Sequence, residues 1–110
     1  MKGINLGEFE ELVLLIIASR YKEAYGVGIK EIIEKETGRI VNISAVHAVL
    51  LRLEKKGYAK SIMGEPSEER GGRRKRLFSV TSLGARALQE SHALRSKLFN
   101  QIPQVTFSPI

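Results

Sequence analysis

Seven consecutive apolar residues, Leu12-Val13-Leu14-Leu15-Ile16-Ile17-Ala18, constrain the fold of this chain more than any other stretch. Acidic Glu8, Glu10 and Glu11 precede them. Carboxylates suit the positive end of a helix dipole, so the segment reads as a helix from Glu8 to Ser19. A surface helix needs only one apolar stripe, whereas one that is apolar all round must be covered from two directions. That points to a second copy, with Leu12, Leu15 and Ile16 as candidate dimer contacts. The run falls short of the roughly 18 residues of a spanning helix, so neither a membrane anchor nor a signal peptide is expected.

Downstream, Ile29, Ile32 and Ile33 recur at i, i+3 and i+4 and predict a second helix over Val27 to Glu36. Gly38 is its expected left-handed cap, with Tyr25 and Gly26 at its entrance. After the extended Arg39 to Ile43, Ser44 is the expected N-cap of a third helix that turns Val46, Val49, Leu50 and Leu53 inward and ends at Gly57. Tyr58 to Met63 and Arg73 to Thr81, with Phe78 and Val80 alternating, predict a β-hairpin around the polar Gly64 to Gly72. Ser82 to about Gln101 then forms a last helix with Leu83, Ala87, Leu94 and Leu98 on one stripe, stopped by Pro103. Val105 to Ile110 has no clear period.

This order predicts a mainly α protein with a small β-ribbon: a winged helix-turn-helix plus a C-terminal dimerisation helix. The expected division is a DNA-binding domain over residues 1–81, the dimerisation helix over 82–101 and a flexible tail over 102–110. A chain of 110 residues has room for a single core.

Charge points to the partner. Lys and Arg number 18 against 12 Asp and Glu, for a net charge of +6. Nucleic acid is the first candidate and an anionic membrane surface the second, and the helix order above makes that nucleic acid double-stranded DNA. In helix-turn-helix proteins the second helix of the motif enters the major groove. Here its outward face is Ser44, Ala48, Leu51 and Lys55: it opens with small residues, which permit close approach, and is flanked by His47 and Arg52, which reach acceptors or phosphates, with Ala45 a further candidate contact. Arg70, Arg73, Arg74, Lys75 and Arg76 crowd the ribbon around Gly71-Gly72, a density that suits phosphates or a narrow minor groove.

Other chemistries lack support. With no cysteine there is no disulfide and no thiolate site for zinc, which suits a reducing cytoplasm. No G-x-x-x-x-G-K-[ST] loop occurs, the two histidines lie on different predicted helices, and no nucleophile-base set stands out. No enzyme activity, cofactor or metal is expected.

The chain also resembles the PadR family of transcriptional regulators. The similar segments are Leu6-Gly7-Glu8-Phe9-Glu10, Ala24-Tyr25-Gly26, Ala45-Val46-His47, Arg52-Leu53-Glu54-Lys55-Lys56-Gly57, Gly64-Glu65-Pro66, Arg70-Gly71-Gly72-Arg73-Arg74-Lys75-Arg76 and Thr81-Ser82-Leu83-Gly84. The resemblance implies a dimer built through the C-terminal helix and a repressor of nearby genes. It makes Tyr25, Ser44, His47, Arg73, Arg74 and Lys75 DNA-facing. The sequence departs from the family pattern at His47, where tyrosine is favoured, and at Ala48 and Val49, where polar residues are usual. It has no tryptophan of the kind some members use to sense aromatic drugs, which leaves the existence of a small-molecule effector open.

The expected function is therefore that of a sequence-specific DNA-binding repressor acting as a homodimer. The competing readings are a winged-helix protein-interaction module and an architectural DNA binder without sequence preference.

Overall fold

In the computed structural model, which describes residues 5–20, 24–66 and 74–108, the elements run α1 (Glu8–Ser19), α2 (Gly26–Thr37), α3 (Ile43–Lys55), β1 (Ala59–Pro66), β2 (Arg74–Val80) and α4 (Ser82–Asn100). A single 3-10 turn follows at Gln104–Phe107. Local chemistry sets these boundaries. At the start of α1 the Gly7 amide donates to the Glu10 carboxylate at 2.7 Å, so a third-position side chain satisfies an orphan helix donor. Gly38 closes α2 at φ 73°, a left-handed conformation that glycine adopts without strain. The N-cap of α3 is Asn42 and not the expected Ser44: the Asn42 side-chain oxygen accepts the Ser44 amide at 2.7 Å. Asn42 is still extended while Ile43 is already helical, so Ser44 falls inside the first turn.

The apolar run is the centre of the core. Val13, Leu14, Ile16 and Ile17 are buried against Ile29 and Ile33 of α2, the four inward residues of α3, Phe78 of β2 and Ala87 of α4. Each such side chain contributes about 1.5 to 3 kcal/mol by leaving water. The second covering layer that the run demands comes from the chain itself, because α1 touches α2, α3, β2 and α4. Ile16 and Ala87 are consequently 6% exposed and present no surface to a partner, against expectation. Leu12 is half-buried, and Leu15 stays 49% exposed.

β1 and β2 pair antiparallel from Ala59↔Val80 to Met63↔Arg76 and again at Pro66↔Arg74, with an irregularity between Met63 and Pro66. The hairpin is anchored to the helices by the Phe78 amide, which donates to the Ala24 carbonyl at 2.7 Å. α4 begins on a Thr81 cap and presses Gly84 onto the Tyr58 carbonyl, where any β-carbon would collide with backbone. The Ser91 hydroxyl and Arg95 both reach Glu11, which fixes α4 along α1. Beyond Ser91, α4 leaves the body and the molecule measures 57 × 37 × 21 Å. The segment expected as a flexible tail folds back, placing Phe107 5.8 Å from Phe99 between ring centroids. Among the described residues, no helix is long and apolar enough to cross a membrane.

One charged group lies within this apolar frame. The Glu10 carboxylate, at the α1–α3 contact, receives Lys56 Nζ at 2.8 Å and Arg52 Nε at 3.1 Å besides the Gly7 amide. Burial alone would push its pKa up. The Gly7, Lys56 and Arg52 donors outweigh that and hold it at about 2, below the ordinary 4.5. A carboxyl whose folded pKa is depressed stabilises the fold fully above its unfolded pKa and loses that contribution as the pH falls through the folded one. Denaturation by urea should therefore show stability falling between about pH 5 and pH 2. Glu10→Gln should lower stability at pH 7 by on the order of 2 kcal/mol and flatten that acid limb. An acid limb as steep in the variant as in the parent would assign the pH dependence to other groups.

Candidate nucleic-acid interface

Successive residues of α3 rotate by about 100°, and burial of Val46, Val49, Leu50 and Leu53 on one side fixes what the other side presents. Ser44, Ala48, Leu51 and Lys55 point away from the core and are exposed. Ala45 and Arg52 lie on the flank toward α1, His47 on the flank toward α2 and the hairpin. This rotation decides the fate of each expected site residue on α3.

On the α1 flank, Arg52 donates to the Glu10 carboxylate at 3.1 Å, so its charge is matched within the protein although the side chain stays half exposed. On the other flank, His47 lies against the first turn of α2. A β-carbon at Gly26 would sit 2.5 Å from His47 Nε2, so the ring packs directly on the glycine and would have to swing aside for any larger residue. Tyr25 precedes Gly26, and Lys75 Nζ sits 4.2 Å above the centre of its ring, a cation–π contact that joins β2 to the start of α2.

Arg76 is held more tightly than the sequence suggested. Its Nη2 donates to Glu54 Oε1 at 3.2 Å and its Nε to Ser61 Oγ at 2.9 Å. The Ser61 hydroxyl in turn donates to Glu54 Oε2 at 2.7 Å. The three side chains come from α3, β1 and β2, so a closed loop of hydrogen bonds sets the hairpin's angle to the helix. Arg74 is exposed, and its Nε donates to the Gly64 carbonyl at 2.9 Å, inside the hairpin. Among the described residues neither Arg74 nor Lys75 has a carboxylate partner. Arg70 and Arg73 lie outside the described residues.

The structure thus brings Tyr25, His47, Arg74, Lys75 and Arg76 to one side, beside the exposed Ser44 and Ala48 of α3. Ala45 is exposed on the far flank, and Arg52 there is paired with Glu10. Between α2, α3 and β2, Tyr25, His47, Arg74 and Arg76 border a cleft of about 370 Å³, with Leu50 and Phe78 as floor and Val27 and Leu51 at its lips. Sequence reasoning missed Val27 and the Glu54–Ser61 link, because pairing across the turn at Gly57 leaves no periodic trace. Leu51 was legible as an outward leucine on a polar face.

If the Glu54–Ser61–Arg76 loop orients the hairpin, Glu54→Gln should speed amide hydrogen exchange along β1 and β2. Global stability should change by less than about 1 kcal/mol, since the charges are partly exposed. Exchange unchanged across the hairpin would assign its orientation to the Ala24–Phe78 hydrogen bond alone.

Residues 13–90 match the family model described as Transcriptional regulator PadR-like family. No curated protein matches the chain. Among solved structures, the chain is similar to a PadR-like transcriptional regulator from Bacillus cereus, with a TM-score of 0.74, 19% identity and coverage of 92% of this chain and 93% of that one. A PadR family transcriptional regulator from Eggerthella lenta aligns with a TM-score of 0.68 at 21% identity, over 93% of this chain and 88% of that one. A protein from Streptococcus mutans aligns with a TM-score of 0.71 at 23% identity, over 99% and 95%. Identities this low carry the winged-helix fold and nothing finer.

Proposed function

Because this chain belongs to the PadR-like family of transcriptional regulators, we propose that it is a sequence-specific repressor that binds duplex DNA as a homodimer. The observation that carries the reading is the single face on which the small outward residues of α3 adjoin the cations of β2. α3 enters the major groove with Ser44 and Ala48 leading. Arg74 and Lys75 meet the sugar-phosphate backbone, and Tyr25 and His47 border the same path. Arg52 and Arg76 are half exposed but contribute less to the interface, because their charge is already matched by Glu10 and Glu54.

Residues 1–81 form the DNA-binding unit and α4 the dimerisation helix. Leu94 and Leu98 are 51% and 54% exposed on one stripe of α4, and Phe99 beside them is 61% exposed. Apolar surface of this extent on a projecting helix is best satisfied by an identical helix across a two-fold axis. Two copies of α3 then meet half-sites about 34 to 36 Å apart. A dimer seated across a promoter in the cytoplasm excludes polymerase, which is repression.

Fluorescence anisotropy with duplex from the protein's own promoter region should give a Kd on the order of 10⁻⁸ M, with steep salt dependence. Lys75→Ala should weaken binding to every sequence alike and reduce the salt slope by about 1. Equal affinity for random duplex would defeat sequence specificity. For assembly, light scattering at micromolar concentration should return a dimer, and a doubly substituted chain, Leu94→Glu with Leu98→Glu, a monomer. A parent chain that is already monomeric would remove the α4 interface.

A further inference from the structure

The outward face of α3 offers a duplex few side chains that make hydrogen bonds. Its exposed members are Ser44, Ala48, Leu51 and Lys55. The neighbouring polar groups are already engaged: Arg52 by Glu10, Glu54 by Ser61 and Arg76, and the Asn42 side-chain oxygen by the Ser44 amide. The His47 ring packs on Gly26. Guanine and adenine are usually read by paired hydrogen bonds from arginine, lysine, asparagine or glutamine. Ahead of Lys55 in the last turn, this face holds none of the four. What it does offer is hydrocarbon.

Leu51 is 60% exposed, whereas its neighbours Leu50 and Leu53 are buried in the core. A single exposed leucine on a protein surface needs no explanation, but the surroundings of this one are specific. Ala48 precedes it by about one turn on the same ridge, and the exposed Val27 of α2 stands across from it. Arg74 and Lys75 of β2 lie on the same side without carboxylate partners among the described residues. Those cations complement the charge of a phosphate backbone, and a duplex drawn onto them covers the apolar ridge as well.

In the major groove the hydrocarbon on a base edge is the 5-methyl group of thymine. Covering that methyl group with a leucine removes both from water, a gain that cytosine, with hydrogen at the same carbon, does not give. We propose that Leu51, with Ala48 beside it, reads a thymine methyl group in each half-site. Leu51 lies about 10 Å along the helix from Ser44 at 1.5 Å per residue, or about three base-pair steps. The operator therefore carries an A·T pair about three steps from the pair that Ser44 faces. This rests on the DNA-binding reading above and adds to it the base that is recognised and the residue that recognises it. Arg74 and Lys75 hold the backbone whatever the sequence, and Leu51 supplies the preference.

The probe is duplex from the protein's own promoter region, prepared once with thymine and once with uracil at every thymine position. Uracil pairs as thymine does and lacks only the methyl group. Anisotropy with the full chain should show the uracil duplex bound on the order of tenfold more weakly, from about fourfold for the methyl group lost in each of two half-sites. Single uracil substitutions should concentrate the loss at one thymine per half-site. Leu51→Ala should keep the parent's melting temperature, bind the thymine duplex more weakly by a similar factor and bind the two duplexes alike. Lys75→Ala should weaken both and preserve their ratio. Equal affinity of the parent for the two duplexes would overturn the proposal, as would a Leu51→Ala chain that prefers thymine as strongly as the parent. A loss spread evenly over many thymines would also overturn it, because duplex shape and not one contact would then be the cause. If promoter and random duplex bind alike, the DNA reading fails and the role of Leu51 falls with it. Promoter preference that ignores uracil removes the role of Leu51 alone.

Discussion

The Glu10 carboxylate is the constraint on which the placement of α3 depends. It sits almost fully buried in the contact between α1 and α3 and is held by one backbone amide and two cations. Apolar packing sets how closely the two helices approach, yet it tolerates sliding along the seam, because hydrocarbon contacts have little directionality. A buried charge does not tolerate it, because sliding α3 takes both Arg52 and Lys56 away and leaves the carboxylate with the Gly7 amide alone. The four inward residues of α3 therefore choose its face, and Glu10 chooses its axial position. Every outward residue, from Ser44 to Lys55, inherits its place from that choice.

The hairpin is fixed by separate devices. The Phe78 amide bound to the Ala24 carbonyl seats β2 on the segment before α2, and the buried Phe78 ring makes that attachment part of the core. The Glu54–Ser61–Arg76 loop then sets the angle of both strands to α3. Lys75 on the Tyr25 ring gives a further link to α2. The helix and the hairpin are thereby tied to each other by side-chain and backbone contacts. That arrangement lowers the entropy lost when both engage at once.

Helix boundaries, the inward face of α3, the hairpin and the stripe on α4 were legible in the sequence because each rests on periodicity or on a local stop signal. Gly38 is an example: its left-handed cap follows from its position after the last inward isoleucine. What periodicity could not show is which cations are already committed. Arg52 and Arg76 read as exposed charges on an outward helix face and a basic ribbon, and their partners Glu10 and Glu54 are contacts that only tertiary structure creates. Asn42 displaced Ser44 as N-cap for a related reason: both residues can cap, and only the backbone conformation decides which stands at the last extended position. The central run misled in the other direction. A helix apolar all round does need two layers over it, but α2, β2 and α4 provide the second layer that a partner was expected to supply.

Counting charges along the chain therefore overstates the electrostatic reach of the surface. Glu10 matches Lys56 and Arg52, Glu54 matches Arg76, Glu8 takes Arg39 and Glu11 takes Arg95. Among the described residues, Arg74 and Lys75 have no such partner and adjoin α3. Cations whose counter-charge is internal release fewer counterions on meeting a polyanion. The salt slope of binding should thus report the residues left over after internal pairing, rather than the total number of basic residues in the ribbon.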